Sequence, residues 1–360
     1  MSNRRKHKVI KLNDLKEFCK GVLIKEGMNE AEAEITADVL SETDGYGTHS
    51  HGSKNLHNYI RKMRVGGINI KGNYHLISDG PGFALIDADS SIGMVPAYKA
   101  MKIAINKAKT CGISCTLVRN ASHFGAAGYY ANMASKENMI GIVCSNVDAN
   151  MTIPGAKGKV IGNNPIAYSV PAGRFRPIFL DIAMSTVASL KVIQAKKDGI
   201  SIPDTWITDD DGLPTTNPGN YPEEGAMQPM AAHKGYGIAL LVELLTGVLS
   251  GGGVMKDVPS WLFSMESKND VSHMFIAIDI SKFMDANHFC QRVESVIDTL
   301  HTTPLAKGTD RIYYPGEIEW ERYERTLKKG LFLPEDVEES LKALHEESGV
   351  DICWKEVEFA

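Results

Sequence analysis

The chain has 360 residues, with Lys+Arg 39 against Asp+Glu 44, a formal net charge of −5 and 43% hydrophobic residues. These values describe a water-soluble globular protein, long enough for two or three interlocked domains. Arg4-Arg5-Lys6 is the one basic block and no apolar run approaches ~20 residues, which argues against a nucleic-acid partner and against a membrane span.

The basic start reads as a solvated, disordered end. It lacks the apolar core of a signal peptide, so a cytoplasmic protein is expected. The six cysteines, Cys19, Cys111, Cys115, Cys144, Cys290 and Cys353, are scattered without a CxxC pair. Most are expected as small core residues in a reducing compartment, with no zinc site.

Asn13 is expected to cap a helix whose apolar face is Leu15, Phe18, Val22 and Leu23, ending near Gly27. Asn29 and Glu32 have capping-box spacing for a second helix carrying Ile35, Val39 and Leu40. Asp44-Gly45-Tyr46-Gly47 then turns the chain and delivers Ser50 and His51, and a third amphipathic helix over 56–63 closes at Gly66-Gly67. From Gly82 strands and helices alternate: strands over 83–87, 113–118 and 140–145, helices over 95–109 and 126–136. Such alternation predicts an α/β sheet with crossovers. Strands over 166–170 and 178–182 follow, then a helix over 186–197, a turn at 209–214, a long helix over 237–249 and a buried strand over 274–280. That long helix is apolar nearly all round except Glu243, which predicts deep burial, with the core favoured over a subunit contact, and a partner for Glu243. The C-terminal part from Pro315 is charged and helical, with a second helix start at Pro334-Glu335-Asp336. Boundaries near Gly80 and Gly308 would separate a mainly helical domain, 1–80 plus 308–360, from an α/β region, 81–307, that holds cofactor and substrate.

Two segments carry the acid–base chemistry: Thr48-His49-Ser50-His51-Gly52 and Ser122-His123-Phe124-Gly125-Ala126-Ala127-Gly128. Each sets a His beside a Ser and just before small residues, and a His titrating near neutrality suits proton transfer to a bound ligand. His123 is expected to open a helix whose first N–H groups bind an anionic substrate group. Read alone, His51 is a hydrogen-bonded loop His, and the small residues after His123 serve close helix packing. No Gly-x-Gly-x-x-Gly stands between a strand and a helix, so a Rossmann nucleotide site is not supported.

With Asn163-Asn164-Pro165-Ile166-Ala167, Leu180-Asp181-Ile182-Ala183 and His233-Lys234-Gly235-Tyr236-Gly237, these segments resemble the malate/L-lactate dehydrogenase-like family over about 12–333. That family includes ureidoglycolate, sulfolactate and diketogulonate oxidoreductases and is distinct from the Rossmann-type lactate and malate dehydrogenases. The resemblance implies its α/β, non-Rossmann NAD(P)-binding fold, a homodimer or a multiple of one, and hydride transfer between NAD or NADP and a small 2-hydroxy or 2-oxo acid. Reduction of a cyclic imine acid is the alternative within the family; a catalytically silent nucleotide-binding protein is the alternative outside it. The resemblance gives His51 and His123 as the catalytic pair without choosing between them, and Ser50 and Tyr59 as substrate neighbours. Where the family usually carries an Arg that clamps the substrate carboxylate, this chain has Asn55, so Lys54, His57 or Arg61 is expected to supply the positive charge. Cofactor contacts are expected from Ser145, Leu180, Asp181, Ile182, Ala183, Met184, Lys234, Gly235, Pro315, Gly316 and Glu317. Taken alone, Lys234 is a solvated charge and Asp181 a helix cap.

Overall fold

The computed structural model describes residues 6–358, with side chains from 8 to 356. Arg4, Arg5 and the Lys6 side chain, read above as a solvated end, lie outside the described residues. In chain order the elements are β1 (Lys6–Ile10), α1 (Leu12–Lys25), α2 (Glu30–Gly45), α3 (Leu56–Arg64), β2 (His75–Gly80), β3 (Phe83–Asp87), α4 (Met94–Cys111), β4 (Ile113–Ala121), α5 (Ala127–Ser135) and β5 (Met139–Ser145). They continue with β6 (Ile166–Val170), β7 (Ile178–Ile182), α6 (Ser189–Asp198), β8 (Ile207–Thr208), β9 (Pro214–Thr215), β10 (Ala226–Met227), α7 (His233–Glu243), β11 (Val271–Asp279), α8 (Ala286–Thr302), α9 (Glu317–Lys329), β12 (Leu331–Phe332), α10 (Glu335–Ser348) and β13 (Trp354–Glu358).

Seven strands form the central sheet in the order β2-β3-β4-β11-β5-β6-β7. Only β3 and β4 pair in parallel, through the crossover helix α4; every other pair is antiparallel. The sheet is therefore mixed, because β11 arrives from far downstream and slots between β4 and β5. Helices α4 and α5 cover one face with an unbroken apolar layer that includes Ala100, Ala104, Val118, Tyr130, Val143 and Phe275. Leu117, Cys144, Val242 and Met274 form a smaller cluster that joins α7 to the sheet.

The first layer extends without interruption into α1, α2, α3 and α10. There β1 is paired on both sides, by β12 and β13, so the two ends of the chain close one small sheet. Leu15, Phe18, Val22 and Leu23 of α1 are all buried, and truncating one such residue, as in Phe18→Ala, costs about 3–5 kcal/mol. The expected cap at Asn13 is corrected. The N-cap is Lys11, with no side-chain cap, and Asn13 lies inside the first turn. At α2 the cap is as expected: Asn29 Oδ1 accepts the Glu32 N–H at 3.0 Å.

Two further expectations change. Cys19 and Cys144 are buried, but Cys111 and Cys353 are exposed and the other two are half-buried, so the cysteines are not mainly core residues. Helix α7, continued by a π-helical turn over Leu244–Val248, is not deeply buried all round. Ile238, Leu241, Leu244, Val248 and Leu249 are exposed along one side. Its inner side holds Glu243, whose carboxylate accepts from Asn164 Nδ2 at 2.7 Å and from the Met255 N–H at 2.7 Å. The partners of this buried carboxylate are N–H groups, which supply the hydrogen bonds its burial requires.

Candidate active site

The segment after α2 is shaped by one buried carboxylate. Asp44 Oδ1 lies 2.9 Å from His49 Nδ1, and Asp44 Oδ2 accepts the Ser53 N–H at 2.8 Å. A Cβ at position 52 would fall 2.2 Å from Asp44 Oδ1, so only glycine lets the chain pass over this carboxylate. Asn55 Nδ2 then donates to the Ser50 carbonyl at 2.6 Å. These bonds hold two successive 3₁₀ turns, 49–51 and 53–55, and present Ser50 and His51 on one side. The Ser50 hydroxyl lies 2.9 Å from His51 Nδ1. Since a hydroxyl both donates and accepts, it is compatible with either tautomer of His51.

His123 sits between the end of β4 and the start of α5. Its Nδ1 lies 2.5 Å from the Tyr59 hydroxyl and 3.2 Å from the Gly125 N–H. Trp261 stacks on the imidazole at a centroid distance of 4.4 Å and an interplanar angle of 16°. The His51 ring lies 5.5 Å away on centroids. Burial, and then the neighbouring His51 and His273, hold His123 well below the usual histidine range; burial alone lowers His51. The two rings therefore do not carry two protons together at neutral pH.

Both histidines line a cavity of about 280 Å³ with Ser50, Ser145, Asn163, Asp181, Ala183 and Trp261. A second cavity of about 210 Å³ is lined by Leu180, Asp181, Ile182, Gly316 and Glu319. Thr48, Ala126 and Asp181 line both, so the two cavities adjoin at the end of β7. Asp181 Oδ2 accepts the Gly128 N–H at 2.7 Å, in the first turn of α5. It thus caps α5 rather than the helix that follows it in sequence. Burial pushes its carboxyl up to about 6, against the opposing pull of the Gly128 N–H.

The expected anion site at the start of α5 is reduced by these bonds. The Gly125 N–H faces His123 and the Gly128 N–H is taken by Asp181. Several expected residues also lie away from the two cavities. Lys54 pairs with Asp336 at 2.5 Å, and His57 with Glu347 at 3.0 Å, so neither replaces the missing Arg. Asn55 is buried behind the Ser50 turn, and Arg61 is exposed. Lys234 is exposed at the start of α7. Gly235 packs on Met230, whose carbonyl a Cβ there would approach to 2.3 Å. Met184 is buried in a separate apolar cluster. Gly316, at φ +91, fits against Phe179 where a Cβ would fall 2.6 Å from its ring. Beside exposed Pro315, Glu317 folds back to accept from the Tyr314 N–H at 3.1 Å and pairs with Arg311. Ser145 does line the first cavity, with its hydroxyl 2.8 Å from His273 Nδ1.

Two participants were absent from the sequence reading. His273, on β11, is fully buried, stacks on Phe124 at 4.2 Å and is pushed down to about 3 by burial. Trp261 lies in an irregular segment with no periodicity to mark it. Only its aromatic character in a Pro/Ser-rich loop distinguished it.

Residues 10–342 match the family described as malate/L-lactate dehydrogenase. The chain is 35% identical to an L-sulfolactate dehydrogenase of Methanocaldococcus jannaschii, over 96% of this chain and 98% of that one. It is 35% identical to a malate dehydrogenase of Pyrococcus horikoshii, over 93% and 94% of the two chains. The crystal structure of a malate dehydrogenase from Entamoeba histolytica superposes with a TM-score of 0.90 at 29% identity, covering 96% of this chain and 99% of that one. The chain therefore belongs to the malate/L-lactate dehydrogenase family.

Proposed function

We propose that this chain moves a hydride between a nicotinamide and the 2-carbon of a small 2-hydroxy or 2-oxo acid, with His123 exchanging the hydroxyl proton. Family membership makes it an oxidoreductase that uses NAD or NADP. The observation that carries the finer reading is the pair of half-buried imidazoles 5.5 Å apart in a cavity that Asp181, at the end of β7, also lines.

The site suits a nicotinamide nucleotide. Asp181 lines the junction of the two cavities, and among the described residues its Oδ1 makes no hydrogen bond that would occupy it. It can accept from a carboxamide N–H or a ribose hydroxyl, while Leu180, Ile182 and Gly316 offer apolar surface and close backbone approach. The bound nucleotide supplies or takes the hydride. His123 holds the proton at Nε2 and passes it to the substrate oxygen in the reductive direction, or takes it in the oxidative one. Tyr59 keeps Nδ1 partnered through the step: its hydroxyl accepts from Nδ1–H in the imidazolium and in the neutral ring left when Nε2 gives up its proton, and donates to Nδ1 only when the neutral ring carries its hydrogen on Nε2. Trp261 excludes water from one ring face, and an indole face favours the imidazolium. His51, tied to Ser50, positions the substrate's other oxygens.

In this reading Ser50 and Ser145, which line the cavity, face substrate and cofactor, and Tyr59 acts through His123. Lys54, Asn55, Gly235, Pro315 and Glu317 act as supports of the loops around it, whereas Lys234 stands in solvent. The apolar outer side of α7 supports a homodimer, and the absence of a membrane-length apolar helix among the described residues is compatible with the cytoplasm. The division into 1–80 plus 308–360 and 81–307 is likewise put forward as the functional one, with β2 assigned by its pairing with β3 to the sheet of the second part. A panel of 2-oxo acids with NADH and with NADPH, followed at the nicotinamide absorbance band, tests the reading. Turnover of at least one oxo acid is expected. Turnover of cyclic imine acids alone would move the chemistry to a C=N bond, and nucleotide binding with no turnover would leave a silent binding protein.

A further inference from the structure

Lys62 is an unusual lysine. It lies on α3 three residues after Tyr59, so the two side chains share a helix face. It is 1% exposed, and its ammonium donates to three carbonyls of one loop: Ser264 at 2.6 Å, Met265 at 3.3 Å and Ser267 at 2.7 Å. Burial lowers it to about 8. Three N–H donors meet three carbonyl acceptors, which is the full capacity of an ammonium.

The same loop carries Trp261. Ser264 N–H donates to the Ser260 carbonyl at 3.1 Å, and Asn269 Nδ2 to the Pro259 carbonyl at 2.8 Å. The segment 259–267 is thus a compact turn, tied to α3 through Lys62 and to the flanking chain through Asn269. Gly67 keeps the approach tight, since a Cβ there would fall 2.0 Å from the Met265 carbonyl. Trp261 stacks on His123 at 4.4 Å and on Tyr59 at 5.4 Å. With Asp148, Asn150 and Ser189 it also lines both the histidine cavity and an adjoining chamber of about 350 Å³ that Lys159, Lys256 and Ser260 help to enclose.

We propose that Lys62 is a positioning residue: by holding the carbonyls of Ser264, Met265 and Ser267 it keeps Trp261 against His123, and Trp261 thereby sets the boundary of the substrate end of the cavity. The inference rests on the proposed oxo-acid chemistry for its catalytic consequence, but the loop contact itself does not. Helix α3 then fixes His123 twice, through the Tyr59 hydroxyl and through the Lys62-held indole. Lys62 never touches substrate.

The test compares Lys62→Met, Lys62→Arg and Trp261→Ala with the unaltered protein. Amide hydrogen exchange reads the loop without any substrate. Lys62→Met is expected to accelerate exchange by about tenfold or more within 259–267 while α1, α2 and α4 keep their protection, and Lys62→Arg to restore most of it. Unchanged exchange in 259–267, or an equal rise throughout the helical region, overturns the proposal. With an active oxo acid, Lys62→Met and Trp261→Ala are each expected to raise KM about tenfold, with NAD(P)H affinity unchanged. The double variant is expected to be no worse than either single one, because both remove the same placement. Additive effects would overturn the link between Lys62 and Trp261. Failure of every oxo acid would count against the proposed chemistry, and the exchange result would still decide the loop contact.

Discussion

The two histidine-bearing segments are held in different ways. His51 rides on a turn whose shape depends on one buried carboxylate, Asp44, and its ring is bonded to the adjacent Ser50. His123 is held from several directions, by Tyr59 of α3, the Gly125 N–H and the stacked Trp261. A residue that must present one atom to a reacting bond benefits from the second kind of support. A residue that binds a substrate hydroxyl or carboxylate tolerates the first.

The largest effect that could break this contrast lies at His123. Removing it by His123→Ala is expected to lower kcat by ~10²–10⁴-fold while cofactor binding survives. Next comes the support of the His51 turn. Gly52→Ala drives a methyl into Asp44, and Asp44→Ala leaves the Ser53 N–H without its acceptor. Each should cost about 1–3 kcal/mol of stability in thermal or denaturant unfolding and raise KM, and an unaltered unfolding midpoint would show that the turn is held by something else.

pH sharpens the contrast further. Reduction needs His123 protonated, and its pKa is held below the ordinary value of 6.5. The reductive kcat/KM should therefore fall as pH rises from mildly acidic values, while the oxidative rate, which needs the neutral ring, holds its plateau across neutral pH. The opposite order of the two profiles would assign the proton elsewhere. The smallest expected effect is at Lys234, exposed at the start of α7. Lys234→Ala should change NAD(P)H affinity by about twofold or less, and a loss of tenfold in calorimetry would place the ammonium on the cofactor.

Much of this was legible in the sequence because local signals governed it. Asn29 capped its helix, the alternation from Gly82 gave β3, α4, β4, α5 and β5 nearly to the residue, and Ser50, His51, His123 and Asp181 meet in one cavity. The insertion of β11 between β4 and β5 was not legible, since strand partners more than a hundred residues apart leave no local mark. The composition of α7 predicts burial without saying against what, and its outward face is exposed because an apolar face can await a partner as well as a core. Lys54 and Lys234 were drawn toward ligands for their charge, whereas the structure pairs one with Asp336 and leaves the other in solvent. The roles of Trp261 and Lys62 leave no mark in the sequence, because they arise only when α3 and the 259–267 loop come together.

The most direct test of the account is kcat and KM for His51→Ala and His123→Ala, measured across pH with one active oxo acid. The account predicts that His123→Ala loses kcat and the pH dependence of the reductive rate, whereas His51→Ala mainly raises KM and keeps that dependence. Loss of kcat in His51→Ala, with only a raised KM in His123→Ala, would contradict it and give the proton to His51.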